Sequence, residues 1–118
     1  MGLSPAGKNV MLDAWGAVAV WLSLHDGDPG TTGANELAGG SPAYARQLGA
    51  WDPATGGVIT LAGSETFDVP ASSDVTHFGA WSVVSGGTFY GGGVVSLPES
   101  FNGQGIYILD DTTSFTQT

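Results

Sequence analysis

The chain has 118 residues and a formal net charge of -9, from 11 acidic side chains against two basic ones. This charge repels a phosphate backbone, so we expect no nucleic-acid partner. With 42% hydrophobic residues, 20 glycines and no cysteine, the composition is typical of one folded domain, residues 1–118, that needs no disulfide.

The first predicted element is a short helix. Ser4 and Pro5 form the pattern of an N-cap followed by proline at the first helical position, and Gly16 is expected to stop the helix, which we place at about 5–14. A helix this short needs tertiary packing, so its apolar side is expected to lie on a sheet. The residues on that side are Val10, Met11, Ala14 and Trp15.

The apolar run that continues beyond this helix predicts neither a signal peptide nor a membrane span. The run covers residues 10–24, is interrupted by Asp13 and Ser23, and has only Lys8 as a basic residue before it. A signal peptide needs a basic leading segment, and a span needs about 20 apolar residues. We therefore expect a protein made in the cytoplasm, without a membrane partner.

Alternating side chains and turn signals predict a series of short strands in the rest of the chain. About seven such strands at this spacing indicate an all-β fold, a single β-sandwich or jelly-roll-like domain with one short N-terminal helix. A Thr-rich segment at about 112–118 is expected to be a flexible C-terminal tail. The strands are predicted at 17–25, about 43–51, 58–62, 66–69, 75–84, 88–95 and 106–110. In the strand at 66–69, Phe67 and Val69 are expected to point inward.

Two of these strands carry more specific expectations. Both faces of 75–84 are largely apolar, which predicts a central strand covered on two sides. Ser85-Gly86-Gly87 after it is a hairpin signal. The three glycines at 91–93 interrupt the return strand, which indicates a bulge, a sharp bend or a close backbone approach.

A long loop rich in glycine, threonine and acidic residues joins the first two predicted strands. It contains Asp26, Asp28 and Glu36, and it leads to Arg46, the only arginine of the chain. We expect Arg46 to hold one of these carboxylates and thereby order the loop, because charge-assisted hydrogen bonds are the strong ones. These four residues are the candidate loop-ordering and partner-binding residues.

The acidic pair beside His25 also raises the question of a metal. Imidazole and carboxylates suit zinc or manganese, and Asp26-Gly27-Asp28 resembles the start of a calcium loop. However, no second histidine is near in sequence, and Gly30 occupies the third calcium-ligand position. We expect an Asx-type turn here, with no metal and no cofactor.

Catalytic patterns are weak. His77 lies within a predicted strand, and the chain contains no Gly-x-Ser-x-Gly nucleophile motif. A glycosidase needs two carboxylates across a cleft, and only a coincidence of folding would bring Glu36, Glu65 and Glu99 into that arrangement. We expect no catalytic residues and no enzymatic activity.

Four tryptophans and three tyrosines are many for a chain of this size. Their positions along alternating strands favour a role in the core. A sugar-stacking platform and a subunit interface remain as alternatives.

Several segments, spread over most of the chain, form a combined pattern. They are MGLSPAGKN at 1–9, SLH at 23–25, DPGTTGANE at 28–36, GSPAYAR at 40–46, FDVPA at 67–71 and VTHFG at 75–79. Together they resemble a family of small virion-associated proteins of tailed phages that infect actinobacteria, commonly labelled tail-fibre or minor structural proteins. No catalytic or metal-binding residues come with this resemblance.

The resemblance implies a non-enzymatic structural protein of the virion, synthesised in the host cytoplasm. It would be repeated on the particle as a capsid decoration, minor capsid or tail-associated protein that binds and stabilises a larger lattice. The implied partners are the major capsid or tail protein and further copies of the chain. The alternative is a receptor- or glycan-binding tail-fibre knob.

Two features of the sequence bear on assembly. The chain lacks coiled-coil heptads, collagen repeats and internal repeats, which indicates a single knob rather than a long fibre. Only Lys8 and Arg46 are available to protect exposed strand edges. We therefore expect neighbouring copies or a lattice to cover these edges, in a homo-oligomer or in a monomer that becomes ordered on assembly.

Overall fold

The computed structural model describes residues 2–116, which form one helix and eight antiparallel strands. The predicted all-β class with one short N-terminal helix is confirmed. Helix α1 spans Pro5–Val18. The strands are β1 Trp21–His25, β2 Gln47–Leu48, β3 Val58–Thr60, β4 Glu65–Val69, β5 Ser73–Trp81, β6 Phe89–Phe101, β7 Gly105–Leu109 and β8 Ser114–Thr116.

The strands form one larger sheet and two ribbons. The larger sheet has the order β2-β1-β5-β6, and the ribbons pair β4 with β7 and β3 with β8. Strand β5 lies between β1 and β6, so its predicted central position is confirmed. Its hairpin connection to β6 passes through Gly86 and Gly87, which both have positive φ.

The core lies between the four-stranded sheet and the β4–β7 ribbon. The inward side chains of both layers belong to one hydrophobic cluster, as in a small sandwich. Phe67 and Val69, predicted to point inward from β4, are fully buried. The other main members are Leu22, Leu24, Val75, Phe78, Ala80, Tyr107 and Leu109.

Helix α1 is longer than predicted. It continues through Gly16 to Val18 and ends where the Ala19 amide donates to the Trp15 carbonyl at 2.8 Å. Gly16 does not stop the helix, and its missing side chain lets β3 approach closely: a Cβ at Gly16 would lie 2.7 Å from the Ile59 Cδ1. Strand β1 therefore begins only at Trp21.

The side of α1 that packs on the body was also predicted incorrectly. Leu12 is 1% exposed and anchors the helix, whereas Val10 and Met11 are 69% and 47% exposed. Trp15 does pack against the core, as expected. No helix within residues 2–116 is long and apolar enough to cross a bilayer.

The second predicted strand, about 43–51, is reduced to the two residues of β2. The Tyr44 amide donates to the Gly39 carbonyl at 2.8 Å, in a turn rather than a ladder. The side chains of Tyr44 and Arg46 point the same way because both contact Glu36. This spacing of two residues resembles the alternation of a strand.

The glycines at 91–93 do not interrupt the return strand. Strand β6 runs through them, with a register shift opposite Ala80 and Trp81. Gly92 packs against the Phe78 carbonyl so closely that a Cβ there would overlap it. The predicted bulge and close backbone approach are both present.

The predicted flexible tail is wrong for residues 112–116. Strand β8 pairs with β3, and the Phe115 ring stacks on Trp15 with ring centroids 4.6 Å apart. An aromatic residue in the Thr-rich segment gives the tail a docking site on the helix. Residues 117 and 118 of the predicted tail lie outside the described residues.

The outermost strands are protected without lysine. Strand β2 has only two residues, and β6 carries Pro98 within an irregular stretch opposite Val75 and His77. Very short edge strands, proline and bulges are all known means of preventing edge pairing. These features protect the edges of the four-stranded sheet, and the expectation that neighbouring copies or a lattice cover exposed strand edges stays a prediction.

Candidate functional site

Arg46 and Glu36 form the ion pair that holds the long loop. The Arg46 Nη2 donates to the Glu36 Oε1 at 2.9 Å, and the Arg46 Nε donates to Oε2 at 2.9 Å. This two-point geometry matches the planar guanidinium to the planar carboxylate. Of the three acidic residues that we considered as partners of Arg46, the structure brings Glu36 to it.

Arg46 also fastens the β5–β6 hairpin. Its Nη1 donates to the carbonyls of Val83 at 2.9 Å and Gly86 at 2.8 Å. The guanidinium lies over the Trp81 ring, 3.7 Å from the ring centroid. Arg46 is 8% exposed. It therefore joins the loop, the hairpin and the sheet in one buried contact.

Tyr44 adds a third bond to Glu36. Its hydroxyl donates to the Glu36 Oε2 at 2.8 Å and accepts from the Leu24 amide at 3.0 Å. Burial, together with the neighbouring Glu36 carboxylate, raises the pKa of Tyr44 far above its usual value of 10.0. The hydroxyl thus stays protonated and links the end of the loop to β1.

Asp26 and Asp28 are exposed and make no contact with Arg46. The Asp28 Oδ1 accepts from the Gly30 amide at 2.9 Å, which is the predicted Asx-type turn. The Asn35 Nδ2 closes the loop by donating to the Asp28 carbonyl at 3.0 Å. These two acidic residues shape the loop and present negative charge at its outer end.

A buried hydrogen-bonded chain lies behind the loop. The Trp81 Nε1 donates to the Ser23 Oγ at 2.9 Å, and the Ser23 Oγ lies 2.7 Å from the His25 Nε2. The His25 Nδ1 lies 2.7 Å from the Ala34 carbonyl. All these bonds form when His25 carries its proton on Nδ1 and Ser23 donates to Nε2. Sequence reasoning missed Ser23, although it shares one face of β1 with His25.

This chain of side chains resembles part of a catalytic site but is not accessible. Ser23 and His25 are both fully buried. Burial lowers the pKa of His25 below its usual value of 6.5, with the Ala34 carbonyl and Glu36 acting in the opposite direction. Through its bonds to the Ala34 carbonyl and to Trp81, this buried arrangement links the loop to the sheet.

The strand register brings a second histidine close to His25. His77 lies directly opposite it on β5, which sequence distance alone did not reveal. The His77 Nδ1 is 2.8 Å from the Thr76 hydroxyl. Both ring nitrogens of His25 are already hydrogen-bonded. Within residues 2–116, no three metal-ligating side chains come together.

Most of the aromatic residues pack into the body. Among the tryptophans and tyrosines, Trp81 and Tyr107 are buried, and Trp15, Tyr44 and Trp51 lie against the core. Tyr90 is 37% exposed and borders a groove of about 300 Å³. The groove, which Phe89, Phe115 and Thr31 also line, is the accessible aromatic surface next to the loop.

The described residues thus form a β scaffold that presents an acidic loop, which Arg46 anchors through Glu36. A comparison with curated proteins finds no match for this chain. A family model described as Podophage GP4 fiber I protein gp80 matches residues 12–112, which include the whole loop and its anchor. The chain therefore belongs to this family of phage fibre proteins and is a structural protein of the virion.

Proposed function

We propose that the protein is a non-enzymatic structural protein repeated on the particle surface of phages that infect actinobacteria. In this proposal it binds a larger capsid or tail lattice, as a decoration, minor capsid or tail-associated protein, and stabilises that lattice. Family membership over residues 12–112 supports the virion as its location.

The observation that carries the lattice-binding proposal is the amount of apolar surface that the chain leaves uncovered. Four large apolar side chains are exposed on or just before α1, and Ile106 and Ile108 are 60% and 58% exposed on β7. Val94 and Leu97 on β6 are 72% and 67% exposed. Exposed apolar surface on several elements is typical of a protein that binds neighbours.

The inaccessibility of Ser23 and His25 supports the non-enzymatic part of the proposal. The net charge of -9 supports protein partners rather than nucleic acid. Neither a cofactor nor a membrane forms part of the proposal. The proposed partners are the major capsid or tail protein and neighbouring copies of the chain, brought together on the particle despite their mutual charge repulsion.

Mass spectrometry of purified virions, with immunogold labelling, tests this proposal. We expect the protein in many copies per particle, with label distributed regularly over the capsid or along the tail. Absence of the protein from intact, gradient-purified particles would overturn the proposal.

A receptor- or glycan-binding knob is the second candidate function. The groove beside Tyr90 favours it, because an exposed aromatic ring next to hydrogen-bonding groups such as Thr31 suits a sugar ring. The test is binding of the purified protein to whole host cells and to a glycan array. Loss of binding in Tyr90→Ala, with retention in Val94→Ala, would support this function; no binding by the wild type would exclude it.

A further inference from the structure

Helix α1 directs its polar side chains toward its own domain. The Asn9 Oδ1 accepts from the Gly57 amide at 2.9 Å, and the Asp13 Oδ1 accepts from the Ala54 amide at 2.7 Å. Lys8, the remaining polar residue of the helix, lies beside Gly57, where a Cβ would be 3.3 Å from the Lys8 Cδ. The three polar side chains of α1 thus all lie toward the turn at 54–57.

The opposite side of α1 is apolar and exposed. We define the α1 stripe as Leu3, Val10, Met11, Ala14 and Val18. Val10 is 69% exposed; Leu3, Met11 and Val18 are each 47% exposed, and Ala14 is exposed as well. A surface helix normally shows the reverse arrangement, with its apolar side on the core and its polar side in water.

The α1 stripe has the spacing of a helix that binds in a groove. Met11, Ala14 and Val18 stand at positions i, i+3 and i+7, which are the anchor positions of helix-in-groove recognition. Leu3 extends the stripe, because its Cδ2 would lie 3.7 Å from a Cβ at Gly7 on the first turn. The stripe contains no charged residue, so burying it would strand no charge.

Two observations favour a different protein, rather than a second copy, as the occupant. A stable dimer interface takes roughly 20 to 30 residues from each partner, and the stripe has only five. A groove would contact the flanks of the helix as well, and so would bury more residues than the stripe alone. Two copies would each carry a net charge of -9. Of the two basic residues, Arg46 is buried and paired, so little positive charge is available to offset this repulsion.

The surface beside the helix indicates the charge of the partner. Asp13 and Asp52 border a depression of about 310 Å³ over Trp51, next to Gly16 and Ala17. Both acidic residues are exposed. A groove that holds α1 and carries lysine or arginine at its rim would place positive charge at this depression.

We propose that the α1 stripe docks into an apolar groove with a basic rim on another protein of the phage particle. The inference rests on the proposed function and specifies its contact: α1 is the element that attaches this chain to the lattice. Met11, Ala14 and Val18 enter the groove, and Asp13 and Asp52 face its basic rim.

Incorporation into particles tests the contact. A phage unable to make the protein is propagated in cells that supply wild type, Met11→Lys or Leu48→Lys, and copies per particle are counted by quantitative mass spectrometry. We expect at least a tenfold loss for Met11→Lys and wild-type levels for Leu48→Lys, since Leu48 is 57% exposed, against 47% for Met11, but lies on β2. Equal incorporation of all three would overturn the inference while leaving the proposed function intact; absence of the wild type would overturn both.

Site-specific crosslinking identifies the occupant. A photoreactive phenylalanine at position 11 is incorporated, intact particles are irradiated, and the crosslinked peptides are sequenced. We expect a crosslink to a different virion protein, at an apolar segment with lysine or arginine nearby. A crosslink confined to a second copy of this chain would overturn the inference. So would a wild-type dimer in light scattering that Met11→Lys dissociates.

Discussion

Arg46 and the α1 stripe depart from the usual distribution of side chains in opposite directions. Arg46 is a charged residue that is 8% exposed, whereas Val10 in the stripe is an apolar residue that is 69% exposed. Charged residues are rarely buried unless paired, and a contiguous exposed apolar surface on a soluble domain is associated with binding.

The two regions differ in whether the rest of the chain compensates for the departure. Arg46 makes four hydrogen bonds within the described residues, to Glu36, Val83 and Gly86, and it stacks on Trp81. The α1 stripe has no such cover within residues 2–116. A departure that is compensated internally belongs to the fold, and one that is not points to a partner.

Replacing Arg46 with alanine is expected to give the largest loss of stability. The change leaves Glu36, which is 21% exposed, without its cation and removes the donors to two hairpin carbonyls. Breaking a buried pair in this way costs about 3–5 kcal/mol. Urea denaturation followed by tryptophan fluorescence measures the free energy of unfolding.

The matched control is Lys8→Ala, which removes the other cation from a half-buried site. We expect its effect to remain within about 0.5 kcal/mol, as for most surface substitutions. If Arg46→Ala and Lys8→Ala lose similar amounts, Arg46 does not hold the fold together. Arg46→Lys should recover only part of the loss, because lysine cannot make the two-point contact with Glu36.

Gly79→Ala tests how closely the buried polar chain is packed. A Cβ at this position would lie 2.6 Å from the Ser23 Oγ and 2.7 Å from the His25 Nε2, and both of these side chains are fully buried. Overpacking of this kind costs about 1–3 kcal/mol. Gly63→Ala is the control, since its Cβ would meet open space. Equal midpoints in urea for both variants would mean that the buried chain adapts freely.

Much of the fold could be predicted because local pattern and tertiary position agree. The apolar residues on both faces of β5 predicted its central place, and Phe67 and Val69 were correctly predicted to point inward. The prediction of which side of α1 packs on the body failed, because hydrophobic periodicity identifies an apolar side of a helix but not what that side contacts. In α1 the polar residues Asn9 and Asp13 bind the body and reverse the usual orientation.

The candidate site was predictable in part for the same reason. A lone arginine near three acidic residues suggested a pair, but only the folded loop selects Glu36 over Asp26 and Asp28. The contacts of Arg46 with the hairpin carbonyls join residues 37 and 40 positions apart, which no local pattern encodes. Likewise, His77 reaches His25 only through the strand register.

The pH dependence of stability tests the role of His25 in the buried hydrogen-bonded chain, with a smaller expected effect. Because burial lowers the pKa of His25 below 6.5, the unfolded chain binds more protons than the folded one as pH falls below that value. The free energy of unfolding is therefore fully maintained above pH 6.5. It declines as pH falls from 6.5 toward the folded-state pKa, by at most about 1.4 kcal/mol per pH unit.

Urea denaturation at closely spaced pH values between 5 and 7, roughly the range in which histidine titrates, measures this decline. His25→Gln should flatten the dependence, while His77→Gln, which removes the opposite imidazole, should retain most of it. Glu36 and Arg46 also face His25 and act in opposite directions on its pKa, so their positions must be unchanged in the variants. A slope that is identical in wild type and His25→Gln would contradict the assignment.

Met11→Lys, which is expected to give a large loss of incorporation into particles, is expected to have the smallest effect on stability. Met11→Lys places a charge on a side chain that is 47% exposed, so the free energy of unfolding should change by less than about 0.5 kcal/mol. Leu12, the next residue, is 1% exposed, and Leu12→Ala should cost about 2–5 kcal/mol because it leaves a cavity under the helix. Urea denaturation of the two variants compares an exposed and a buried position that are adjacent in α1. A loss above about 1 kcal/mol in Met11→Lys would mean that the α1 stripe supports its own domain. An unchanged free energy of unfolding, together with the loss of Met11→Lys from particles, would mean that the stripe binds a partner.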